Sequence, residues 1–63
     1  MSGTDILNEQ EAEQVAASFA AEHSVDREKA QTYARKWFGM GNDYPERKED
    51  ALVRALRRHF GLL

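Results

Sequence analysis

Apolar residues in this chain recur at the spacing of helices and nowhere alternate as strands do. Ala12, Val15, Ala16, Phe19 and Ala20 follow the i, i+3, i+4, i+7, i+8 pattern that gathers side chains on one helical face. Ala30, Tyr33, Ala34, Trp37 and Phe38 repeat it, and so do Leu52, Ala55, Leu56 and Phe60, with Ala51 and Val53 flanking. The pattern predicts helices over about 8–22, 26–38 and 45–60, an all-α, small three-helix bundle. The domain is expected over residues 8–63, after a flexible N-terminal tail of residues 1–7. The expected core is Val15, Phe19, Tyr33, Trp37, Phe38, Leu52, Leu56 and Phe60. The first helix offers mostly alanine to that core, so a partner helix can approach it closely.

End signals fit these spans. Asn8 is a preferred N-cap, and Glu11 stands where a capping-box carboxylate reaches back to the cap N–H. Asp26 caps the second helix, with Val25 placed to staple against Ala30. Pro45 suits a first helical position and disfavours helix at Tyr44. Arg35-Lys36-Trp37-Phe38-Gly39-Met40 matches Arg57-Arg58-His59-Phe60-Gly61-Leu62 in residue type. Shared end-capping explains the match: cations near the negative helix end, an aromatic anchor, a left-handed glycine and an apolar residue folding back. A repeat protein would need a third copy, and the first helix has none.

Size limits what such a bundle can do. With 63 residues the chain makes one domain and buries only about 60% of its unfolded surface. It has no cysteine, which excludes disulfides and cysteine-bearing zinc sites. No apolar run exceeds three residues and no basic n-region opens the chain, so neither a secretory signal nor a membrane span is expected. A cytoplasmic protein is the expectation. The net charge of −2 is unevenly spread. Residues 1–25 hold five acids and no Lys or Arg, whereas residues 26–63 hold nine bases and six acids. Such polarity can steer a charged partner or orient self-association.

No catalytic constellation is legible. His23 and His59 come from different helices, and each sits at a helix end, where an imidazolium suits the dipole. Ser18 and Ser24 flank His23 with no oxyanion loop to serve them, and Gly39-Met40-Gly41 lacks the remaining signature of a phosphate loop. No enzyme activity, metal, cofactor or small-molecule substrate is expected.

Binding remains, in three forms. A membrane surface is disfavoured: the basic side of the third helix (Arg47, Lys48, Arg54, Arg57, Arg58) lies opposite leucines that the bundle needs, and Glu46, Glu49 and Asp50 oppose anionic lipid. The stretch Phe19–Tyr33 resembles a helix-turn-helix. In it Ala20 fills the small position, Ser24 the turn glycine, Val25 the buried turn residue, and Ala30 and Tyr33 the inward face. The resemblance implies a DNA-binding regulator reading through Arg27, Gln31, Thr32 and Arg35. Serine for the turn glycine and Ala30 for a branched residue depart from that pattern, and the acidic pI of about 5.6 is unlike a DNA-binding domain. The favoured expectation is a small non-enzymatic regulator or adaptor that binds another protein, or itself. Apolar helix ends and arginines would carry the contact: Met40, Tyr44, Arg54, Arg57, Arg58, Leu62 and Leu63.

Overall fold

The computed structural model describes residues 5–40 and 47–63. Three helices follow in order: α1, Glu9–His23; α2, Arg27–Gly39; α3, Glu49–His59. Among the described residues there is no strand, only an isolated antiparallel bridge between Asp5 and Lys48. The protein is an all-α three-helix bundle, and no described helix is long and apolar enough to cross a membrane.

Local chemistry sets the ends of α1 and α2. The Asn8 side chain accepts from the Glu11 N–H at 2.8 Å, and the Asp26 carboxylate accepts from the Lys29 N–H at 3.1 Å. These are N-cap bonds to the third helical N–H, each worth about 1 kcal/mol. Glu11 reaches back one residue further than a capping box would take it, accepting from the Leu7 N–H at 2.6 Å. The end of α1 is a left-handed turn at Ser24, φ 56° and ψ 38°. Beyond it the Val25 N–H folds back to the Ala20 carbonyl at 3.1 Å, closing a Schellman motif with serine in the place usually held by glycine.

The two matched hexads end differently. At Gly61 (φ 71°) the Leu62 N–H reaches the Arg57 carbonyl at 2.7 Å and the Gly61 N–H reaches Arg58 at 3.2 Å, a full Schellman motif. Gly39, expected in the same role, is instead the last residue of α2, and its φ is not positive. Glycine permits the left-handed step without compelling it, and here the Met40 N–H simply continues onto the Lys36 and Trp37 carbonyls.

The third helix starts later than expected. Pro45 and Tyr44 lie outside the described residues, but Arg47 and Lys48 are not helical. Lys48 is extended, with φ −107° and ψ 153°, and bridges to Asp5. The Arg47 carbonyl accepts from the Ile6 N–H at 2.7 Å. Pairing with the N-terminal segment thus takes up backbone groups that a longer helix would have used. Lys48 provides no side-chain cap, so Glu49 and Asp50 in the first turn supply the favourable charge. The same pairing corrects the expected tail. Ile6 is 5% exposed and belongs to the core, so the packed unit begins before Asn8.

The core is built around small residues. Ala12, Ala16 and Ala20 on α1 and Ala30 and Ala34 on α2 are buried, each series spaced by four. Such a face lets helix axes approach toward the near end of the usual 8–10 Å range. The α1–α2 interface is accordingly the most extensive, and α2–α3 the least. Phe19, Trp37, Leu52 and Leu56 are buried as expected. Val15, Tyr33, Phe38 and Phe60 are only half-buried against that core. The small alanine faces let α1 and α2 close up, which leaves Tyr33, Phe38 and Phe60 half-covered while Phe19 and Trp37 stay buried.

Candidate functional site

Two contacts establish how the helices run. Ile6, just before α1, bonds to Arg47, just before α3. Phe19, late in α1, stacks on Phe60 at the end of α3, with centroids 6.1 Å apart. The two helices therefore run in the same direction, and α2 returns between their ends. The turn at Ser24 and the ends of α1 and α3 share one pole of the bundle, and the Asp5–Lys48 bridge lies at the other.

Rings fasten the first pole. Tyr33 stacks on His59 at 4.3 Å, His59 meets Phe60 edge-on at 4.9 Å, and Phe19 lies 4.4 Å from His23. Both histidines are thus engaged with aromatic faces, and no group of three or more potential metal-binding side chains occurs among the described residues.

On the α2–α3 side the sparse packing leaves an open cleft of about 540 Å³. Tyr33 from α2, Ala51 and Ala55 from α3, and Leu63 supply its apolar lining, with Asp50, Arg54 and Arg58 at its edge. Tyr33 also borders a neighbouring hollow of about 340 Å³ with Glu28, Lys29, Thr32, Lys36 and His59. On the other side of Arg54 and Leu63, Val53 and Arg57 complete a third, of about 620 Å³. Around these joined hollows stand five cations, Lys29, Lys36, Arg54, Arg57 and Arg58, against two carboxylates, Glu28 and Asp50. Apolar lining within a rim of exposed cationic side chains suits an anionic group with an apolar anchor.

Of the expected protein-binding residues, Arg54, Arg57, Arg58 and Leu63 come together here. Leu63 is 70% exposed, and Leu62 is exposed beside it. Met40 is exposed at the end of α2 and is not among the lining residues of the cleft. Tyr44 lies outside the described residues. Reading the sequence missed Tyr33, Ala51 and Ala55 as lining, and Lys29 and Lys36 as rim. The first three repeat with the core period, and nothing in that period distinguishes a seam position from a buried one.

The residues of the helix-turn-helix resemblance are placed differently. The Gln31 side-chain amide donates to the Glu13 carbonyl at 3.3 Å, and the Arg35 guanidinium lies 3.8 Å from the Glu13 carboxylate. Arg35 also donates to the Thr32 hydroxyl at 3.4 Å. Glu13 lies near the start of α1, so α1 and α2 stay together along most of their length as an antiparallel hairpin. A helix-turn-helix instead crosses its helices at about 90–120°. Arg27 alone of the four stands exposed with none of these contacts.

A contrasting hollow of about 310 Å³ lies between α1 and the start of α3. It is lined by Asp5, Ile6, Glu11, Gln14, Val15, Ser18 and Glu49, with carboxylates and no base. No family model, curated protein or solved structure matches the chain.

Proposed function

We propose that this protein is a non-enzymatic adaptor or regulator that binds an acidic protein segment carrying an apolar anchor, in the α2–α3 cleft. The observation that carries this reading is the convergence of Arg54 and Arg58 on a hollow lined by Tyr33, Ala51, Ala55 and Leu63, with Arg57 in the adjoining hollow. The anchor would displace water from the apolar lining, which supplies the non-directional part of the affinity. The cations would set orientation and speed encounter, making association sensitive to salt.

A titration with a synthetic helical peptide tests this reading. The peptide carries leucines at i, i+3, i+4 and i+7 with glutamates between, and a lysine counterpart serves as control. Amide resonances of Tyr33, Ala51, Arg54, Ala55, Arg58 and Leu63 are expected to move with the glutamate peptide only. Affinity should fall about tenfold or more in the Arg54→Glu, Arg58→Glu double variant. Equal binding of both peptides, or shifts confined to other surfaces, would overturn the proposal.

DNA recognition through α2 is the second reading, favoured by the left-handed turn at Ser24 in the position of the motif's glycine. It is weakened by the attachment of Gln31 and Arg35 to the acidic α1. Retardation of duplex DNA that fades steeply with salt, and is lost in Arg27→Ala with Arg35→Ala, would favour it over the adaptor.

A further inference from the structure

We infer that one occupant of the cleft is the Leu7 segment of a second copy of this chain, so that the protein pairs with itself. The inference rests on the cleft binding acidic, apolar-anchored segments as proposed above. Leu7 is 77% exposed, more than the other exposed large hydrophobics among the described residues, Met40, Leu62 and Leu63. It is flanked by Asp5 and Glu9, both exposed. An apolar anchor between carboxylates is the chemical complement of Leu63 and Tyr33 beneath Arg54 and Arg58.

The segment is also built to be presented. Ile6 is buried, and its N–H is bonded to the Arg47 carbonyl at 2.7 Å, while the Leu7 N–H is held by the Glu11 carboxylate at 2.6 Å. Leu7 is therefore ordered by its neighbours on both sides yet has its own side chain in water. Segments already ordered lose less conformational entropy on binding. Asp5 keeps one loose ion pair, to Lys48 at 3.9 Å, with its side chain 70% exposed.

In its own molecule Leu7 does not enter the cleft: it is not among the lining residues, and the bonds of Ile6 and Leu7 fix it where α1 and α3 begin. The cations of the cleft, Arg54 and Arg58, stand further along α3, about 7–14 Å beyond its first residue. With anchor and cations displaced along the bundle axis, an antiparallel, two-fold arrangement lets each copy serve the other. Leu7 of each copy then meets the cleft of the other, and the two equal contacts close the assembly and reinforce one another.

Sedimentation equilibrium at protein concentrations from about 1 µM to 1 mM, at low and high salt, tests the pairing. A dimer that weakens as salt is raised is expected. Leu7→Ser alone, or Arg54→Glu with Arg58→Glu, should raise its dissociation constant about tenfold or more. These positions are exposed, and unchanged circular dichroism verifies that the variants remain folded. An equimolar mixture of the two variants should associate more tightly than either variant alone but less tightly than the parent, because one of the two contacts is intact. A monomer throughout the range overturns the inference, as does a dimer indifferent to both variants or a mixture that associates no more than either variant alone. The Leu7→Ser protein titrated with the glutamate peptide separates the two ideas. Peptide binding by a strictly monomeric protein leaves the adaptor reading standing, and its absence removes both.

Discussion

The Tyr33 ring of α2 lies on the His59 imidazole of α3, with centroids 4.3 Å and planes 20° apart. It bridges the least extensive of the three helix interfaces and borders the cleft. Such a stacked pair contributes about 0.5–1.5 kcal/mol beyond its area. His59→Ala should therefore lower stability by about 1 kcal/mol, and a double-mutant cycle with Tyr33→Ala should return a coupling of similar size. Additive losses in denaturant unfolding would show that the stack contributes nothing of its own.

Backbone conformation separates three turn positions that look interchangeable in sequence. Ser24 is left-handed, where a side chain costs roughly 1 kcal/mol, so Ser24→Gly should stabilise by up to that amount. Gly61→Ala should destabilise by about 1 kcal/mol for the same reason. Gly39 is helical, and nothing lies within 4 Å of an added Cβ, so Gly39→Ala should stabilise by about 0.5–1 kcal/mol. Thermal melts of the three variants check the signs, and a destabilised Gly39→Ala would place that residue in the left-handed role first expected of it.

Trp37 is 1% exposed and the largest buried side chain. Its replacement by alanine should cost about 3–5 kcal/mol, a large share of what a domain this small possesses. The alanine seam makes the opposite error equally visible. Ala34→Leu inserts a branched side chain at a fully buried position between closely packed helices and should cost about 1–3 kcal/mol by overpacking. Midpoints in urea check both, and wild-type stability in Ala34→Leu would mean that the helices stand further apart.

Removing residues 1–7 should be more harmful than loss of a tail. Ile6→Ala is expected to cost about 2 kcal/mol or more, since it empties a core site, and the truncation should cost at least as much through loss of the bond to Arg47. Hydrogen exchange offers a second measure: in the truncated protein the Leu52 amide, bonded to the Lys48 carbonyl, should exchange faster. Unchanged melting after truncation would exclude Ile6 from the core.

Local chemistry made much of the bundle readable. The spacing of the apolar positions determined the number of helices, their class and their inward faces, and Asn8 and Asp26 determined two helix starts, because these signals act within a turn or two of the chain. Which rings are central and which lie at seams could not be read, since Tyr33 and Trp37 share a period, and only helix distances decide which becomes covered. Arg54, Arg57, Arg58 and Leu63 were recognisable as binding chemistry by residue type. The cleft that brings Arg54, Arg58 and Leu63 beside Tyr33 exists only because α2 and α3 pack sparsely against each other. The late start of α3 and the burial of Ile6 likewise depend on two segments far apart in sequence meeting, where backbone groups satisfied across space outweigh the preference of either segment alone.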